Sequence, residues 1–488
     1  MARPFIHDDF LLDSKRAVEL YHGFAADLPI LDYHNHLSPA QIAGDTRFEN
    51  LSQVWLYGDH YKWRLMRAHG VPERFCTGDA SDWEKFEKWA ETVPAALGNP
   101  LHHWTHLELA RYFDIADRLL SPATARGIWE ESRARLVRPD ASARGLLRRM
   151  RVAALCTTDD PAEDLVHHQR LADERSFEIR VYPTFRPDAA LNTDDPTELN
   201  RWLERLGAVA QVEVRTWEDL LEALRRRADA FHALGGRLAD HGLERMPADD
   251  YSVGGASAAF SALRAGRVPP PDMADAYRSA LLVECGRMYA ERGWTMQLHL
   301  GALRNTNTRL FRARGRDAGG DTIGDGEIAR PLARFLDRLD REDRLPQTIL
   351  YNLNPRDNEL LAAMAGCFQD GSRPGKIQYS SAWWFLDTLP GIERQLETVE
   401  NFGLLGHFVG MVTDSRSFLS FARHEYFRRI LCRRLGGEME AGLLPEDPAA
   451  VGAMVRDICW FNAVRYFGLG LPADAEEGRG IKKPRTRD

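Results

Sequence analysis

Short apolar segments, each closing on polar residues and each separated from the next by a helical stretch, constrain this chain more than any other feature. They fall at residues 29–33, 152–156, 178–183, 294–299, 348–353, 376–379 and 407–413, with a weaker one near 236–240. Helical spacing fills the gaps, as at 217–234, 271–292 and 328–339. Single strands joined by helical crossovers imply parallel pairing and an α/β protein. No Gly-x-Gly-x-x-Gly opens a helix after the first strand, so a dinucleotide-type open sheet is disfavoured. Polar residues also collect where the strands end, among them His34, Asp159, Arg186, Asp240, His299, Asn352 and Asp414. Barrel enzymes build their sites at that rim. The expected fold is a closed (β/α)8 barrel of the TIM type.

Residues 40–150 lie between the first two strands, too long for a βα loop and too patterned for disorder. Six tryptophans fall there: Trp55, Trp63, Trp83, Trp89, Trp104 and Trp129. This stretch reads as a helical insertion beside or over the barrel mouth. It parts an N-terminal segment with the first strand, 1–39, from the remainder of the barrel, 151–470. Residues 471–488 read as a flexible tail whose basic run, Lys482-Lys483-Pro484-Arg485, is solvated. The glycine-rich stretch 315–326 reads equally as a mobile flap or an ordinary surface loop.

Composition narrows the setting. The six cysteines include no Cys-x-x-Cys pair, which fits reduced thiols in a cytoplasmic protein. The first residues have no signal-peptide core, and no apolar run reaches the roughly 18–20 residues of a membrane span. A net charge of −8 without a basic stripe argues against nucleic acid as a partner.

The first strand runs into His34-Asn35-His36. Residues i and i+2 of a strand share one face, so both imidazoles can enter one cavity. That spacing alone is more often incidental, but here it ends an apolar strand. In a closed barrel the last strand, ending at Asp414, would lie beside the first. The resulting His34, His36 and Asp414 set leaves open positions and suits one divalent ion, zinc first and manganese second. His299 is a fourth candidate. Binuclear sites on this scaffold commonly use a bridging lysine from the fourth strand, yet no lysine occurs between 88 and 376. One metal is the expectation.

This arrangement looks like the amidohydrolase superfamily, and within it the chain resembles the bacterial uronate (glucuronate) isomerases from Phe10 to about Phe467. The resemblance rests on Asp32-Tyr33-His34-Asn35-His36, Gly58-Asp59-His60-Tyr61-Lys62-Trp63, Cys76-Thr77-Gly78-Asp79 and His103-Trp104-Thr105-His106. Thr157-Thr158-Asp159-Asp160-Pro161, Pro183-Thr184-Phe185-Arg186, Gln297-Leu298-His299, Trp383-Trp384-Phe385 and Val412-Thr413-Asp414-Ser415-Arg416 extend it.

Such a resemblance implies reversible aldose–ketose isomerisation, D-glucuronate to D-fructuronate and D-galacturonate to D-tagaturonate, through a cis-enediol and without an organic cofactor. Asp414 is then the base near C2, either directly or with the metal-bound C5 hydroxyl of the sugar. Tyr61, beside His60, moves a proton between O1 and O2. Arg186, Arg304 and Arg416 stand just past strand ends, where a guanidinium can grip the substrate carboxylate or polarise the enediol. Asp240 and His299 are assigned to the sugar, and Trp383 or Trp384 to stacking on its apolar face. The alternative is a mononuclear metal-dependent amidohydrolase or deaminase. Such hydrolases usually need a sixth-strand histidine, where this chain has Asn352-Leu353-Asn354. The expected partner is a small-molecule hexuronate, with no membrane. Self-association stays open, because the insertion can cover the mouth or contact another copy.

Overall fold

A computed structural model of the chain describes residues 3–380 and 383–471. The tail 472–488 and Ser381 lie outside the described residues. Seven strands form one sheet: β1 (Ile30–Asp32), β2 (Val152–Asp159), β3 (Arg180–Phe185), β4 (Leu238–Leu243), β5 (Thr295–Leu300), β6 (Gln347–Asn352) and β7 (Ile377–Tyr379). Each strand pairs in parallel with its neighbours in sequence. An order without reversal belongs to a barrel wall and not to a doubly wound sheet, and the sheet curls into a half-barrel. Every residue of β5 and β6 is buried, as parallel strands covered by helices require. The helices expected between strands form at Trp217–Ala233, Pro271–Glu291 and Ala329–Asp340.

The eighth strand expected at 407–413 does not form. Leu405–His407 is a short 3-10 turn, and residues 408–414 have no ladder. The cause is local. Gly410 sits at φ 79°, and a Cβ there would stand 2.5 Å from Ile458 O. Side chains take the place of ladder bonds on both flanks. Gln378 of β7 donates to His407 O at 3.0 Å and accepts from Val409 N at 3.2 Å. Buried Asp32 of β1 accepts from Thr413 N at 2.8 Å and from Thr413 Oγ1 at 2.6 Å. Two backbone bonds then align the segment with β1: Asp414 N to His34 O, 3.1 Å, and His36 N to Ser415 O, 2.9 Å.

Between β1 and β2 every assigned element is helical. An aromatic core explains the tryptophans: Trp55 and Trp89 are fully buried, and Trp129 packs on Phe86 and Trp83 at 5.0 and 5.4 Å. One helix of this set, His60–Ala68, reaches the mouth. Asp59 caps it, accepting from Lys62 N at 3.1 Å while pairing with Lys62 Nζ at 2.5 Å. Beyond β5 the loop that carries the glycine-rich stretch is closed by a two-residue antiparallel ribbon, Ala302–Leu303 with Thr322–Ile323.

Candidate active site

Strand ends and the loops after them enclose a cavity of about 610 Å³. His34, His36, His299, Arg186, Arg304, Trp383, Asp414, Arg416 and His60 all line it, so nine of the expected site residues converge on one space. Asp240 and Tyr61 are not in its wall.

His34 and His36, two and four residues past the end of β1, both meet Asp414. Their Nε2 atoms lie 3.1 and 3.0 Å from the same carboxylate oxygen, Oδ1. Trp383 Nε1 donates to the other oxygen at 2.5 Å. Asp414 is held at φ 44°, a left-handed conformation that a non-glycine residue adopts only when its surroundings fix it. Burial pushes the Asp414 carboxyl up, but the two imidazoles pull it well below the usual carboxylate range. Burial lowers His36 to about 4 despite Asp414. His34 moves the other way: burial opposes its charge, but Asp240 and Asp414 raise it. An ionised carboxylate beside a neutral imidazole is the donor chemistry that a divalent ion takes.

Among the described residues two donor groups fit a metal, His34 with His36 and Asp414, and His34 with Asp240 and His299; within each, the ligand atoms lie within 4.8 Å of one another. The second is already committed. Asp240 Oδ1 stands 2.6 Å from His299 Nδ1, and its Oδ2 is 2.9 Å from Arg186 Nη1, an ion pair without hydrogen-bond alignment. His299 Nε2 is left buried without a partner, on the same side as His34, whose ring is 4.5 Å away. The residues therefore fit one ion between His34, His36 and Asp414, with His299 as neighbour.

Arg186 is locked from behind. Asp188, two residues on, pairs with its Nε at 3.0 Å, and Asp188 in turn meets His241 Nδ1 at 2.8 Å and Gly242 N at 2.7 Å. A side chain at Gly242 would collide with the Arg186 guanidinium. Arg304 pairs with Asp321 at 2.8 Å, and Arg416 with Asp317 at 3.1 Å.

Tyr61 is placed behind the wall. Its hydroxyl donates to Asp387 at 3.2 Å, and its ring stacks on His60 at 5.1 Å. Buried Arg423 stands behind both, 3.6 Å from Asp387 and 5.4 Å from the Tyr61 ring. Burial raises Asp387 to about 7 and lowers His60, whose buried Nδ1 has no hydrogen-bond partner.

Sequence reasoning assigned no role to several wall residues: Asp159, Asp160, Asp188, Asp317 and Asp321; Trp384, the alternative to Trp383 for stacking, also lines the cavity. The Arg-x-Asp spacing of Arg186 and Asp188 was a usable signal. The loop acids Asp317 and Asp321 had none, because loop closure depends on contacts made far away in sequence.

The family described as glucuronate isomerase matches residues 2–467. The uronate isomerase of Cellvibrio japonicus is 52% identical over 468 residues, covering 96% of this chain and 99% of that one. That of Opitutus terrae is 52% identical over 469 residues, covering 96% and 98%. Among solved structures, uronate isomerase from Thermotoga maritima superposes with a TM-score of 0.89 at 34% identity, covering 95% of this chain and 100% of the other. Glucuronate isomerase from Caulobacter crescentus gives 0.88 at 28% identity, covering 97% and 99%. The chain belongs to the uronate isomerase family and is an aldose–ketose isomerase.

Proposed function

We propose that this enzyme interconverts D-glucuronate with D-fructuronate and D-galacturonate with D-tagaturonate, using Asp414 to carry the C2 proton to C1. The observation that carries the reading is the placement of an ionised Asp414 between two imidazoles, in a cavity that four arginines also line, Arg186, Arg304, Arg316 and Arg416. The reaction moves one proton from C2 to C1 and one from O2 to O1, and needs no net oxidation. Asp414 supplies the base, and the Trp383 N–H fixes its free oxygen and so its direction of approach. Arg416 and Arg304 offer guanidinium groups for the substrate carboxylate, while Arg186, fixed by Asp188 and Asp240, is rigid enough to position a hydroxyl or enediol oxygen.

For the O2-to-O1 proton the pair His60 and Tyr61 serves together. His60 is the member in the cavity wall, and Tyr61 backs it with a phenol tied to Asp387. A divalent ion, zinc or manganese, held by His34, His36 and Asp414, would supply Lewis acidity at the sugar oxygens. Residues 407–415, bonded to β1 and β7, complete the barrel wall in this reading and deliver Asp414 to the site. A cytoplasmic setting fits the six cysteines, all of which are free. No described helix is long and apolar enough to cross a membrane. Nothing favours hydrolysis, and Asn352, where a hydrolase would place its sixth-strand histidine, is bonded to Asn354 O and Asn358.

Proton NMR of D-glucuronate, and separately of D-galacturonate, incubated with enzyme with and without zinc or manganese tests the proposal. Ketose signals from both sugars are expected, faster with metal. Conversion of neither would refute it.

A further inference from the structure

Asp387 closes the 3-10 turn Trp384–Leu386 just beyond β7 and is 4% exposed. A carboxylate is costly to bury, and this one is weakly compensated. Among the described residues its carboxylate meets two side chains. Tyr61 Oη donates to Oδ2 at 3.2 Å, and Arg423 Nη1 stands 3.6 Å from the same oxygen, too far for a hydrogen bond. Arg423 is itself engaged elsewhere. It is 2% exposed, donates from that same Nη1 to Thr413 O at 3.2 Å, and lies 4.0 Å over the Trp104 ring. Burial pushes the Asp387 carboxyl up to about 7, with Arg423 opposing and Asp414 adding to the rise.

A phenol carries one proton, and Tyr61 gives its own to Asp387. That leaves Tyr61 Oη with lone pairs only. It can accept the proton that leaves O2, but it has none to give O1. Waiting as a phenolate is costly, because burial first and then Asp387 push the phenol well above its ordinary range. Proton transfer through Tyr61 therefore needs a second atom to hold the displaced proton, and Asp387 Oδ2 already receives it.

We infer that Asp387 is a positioning residue that acts through Tyr61: it takes the phenol proton while Tyr61 receives the proton of O2, and returns it while Tyr61 protonates O1. The inference rests on the reading that Tyr61, with His60, carries that proton. In the first half the O2–H bond breaks as a new Tyr61 Oη–H bond forms, and the old Oη–H bond breaks as Asp387 Oδ2–H forms. The second half runs the same exchange back toward O1. One proton passes from O2 to O1, both side chains end as they began, and nothing is oxidised. A tightly paired carboxylate would resist taking the proton, whereas one facing Arg423 at a distance accepts and releases it.

Asp387→Asn tests this, because an amide oxygen still accepts from Tyr61 but takes up no proton. It is assayed with Tyr61→Phe and the double variant for kcat and KM with D-glucuronate, after thermal unfolding has shown each to be folded. Should Asp387→Asn not fold, because buried Arg423 loses its counter-charge, the comparison is made with Arg423→Met added to every protein, which removes that charge as well. Asp387→Asn is expected to lower kcat about a hundredfold with KM within about twofold, and Tyr61→Phe to cost about as much. In the Asp387→Asn background Tyr61→Phe should then cost less than about threefold, since the two residues act as a unit. Unchanged kcat in Asp387→Asn, with a loss in Tyr61→Phe, would mean that Tyr61 works alone and would overturn the inference. Equal costs of Tyr61→Phe with and without Asp387 would overturn it too, since a merely structural carboxylate is additive. Wild-type kcat in Tyr61→Phe would refute the underlying reading of Tyr61, and the inference would fall with it.

Discussion

At the scale of single residues the site works by holding charges in fixed states. Trp383 is the least obvious contributor, because an indole reads as core and its N–H to Asp414 cannot be seen in sequence. Trp383→Phe keeps the ring packing against His299 but removes a charge-assisted bond, so kcat should fall about tenfold or more, with KM changing less. Equal kcat in that variant would free Asp414 from the indole. Asp159 behaves in the opposite sense to Asp414. Burial raises it to about 8, while Thr157 Oγ1 and Thr184 N donate to its Oδ2. The folded state thus keeps a proton that the unfolded chain releases near pH 4, and stability is lost as pH rises from about 4 to about 8. Asp159→Asn mimics the protonated acid, so its Tm should gain on the wild type by about 1–2 °C between pH 6 and pH 9. A pH-independent Tm difference would contradict that assignment. His299 and Arg186 were legible from their places at strand ends, His34 and His36 from following the first strand, and Asp414 from closing an apolar run, although no strand forms there. Tyr61 was legible only as a motif, and its turn toward Asp387 depends on Arg423, more than 350 residues away.

At the scale of elements, strand periodicity located all seven strands to within about three residues, since burial on both faces demands continuous apolar runs. The same periodicity misread 407–413. That segment is apolar because it is buried, but Gly410 and the carboxylate of Asp32 replace the ladder. Gly410→Ala should therefore destabilise the fold by more than about 1 kcal/mol, from the left-handed φ alone, and lower kcat by moving Asp414. Urea unfolding and turnover check both, and a neutral variant would mean the segment holds no such constraint. The helix His60–Ala68 depends on its cap in a similar way. Asp59→Ala removes both the cap and the partner of nearly buried Lys62, at a cost of about 3–5 kcal/mol.

At the scale of the whole molecule, a half-barrel and a helical insertion meet around one cavity, and a loop acid occupies part of its cation cluster. A metal ion binding the folded chain alone would add about 2.7 kcal/mol at a hundredfold excess over its Kd. Chelation should then lower Tm, and zinc or manganese should restore it. An unchanged Tm and unchanged turnover after chelation would remove the metal from the account. The central claim is that one carboxylate, Asp414, moves the carbon-bound proton. Proton NMR of D-glucuronate with wild type and with folded Asp414→Asn tests it most directly. Ketose formation by the wild type is expected, with a rate about 10²–10⁴ lower in the variant. Wild-type turnover by Asp414→Asn would contradict it.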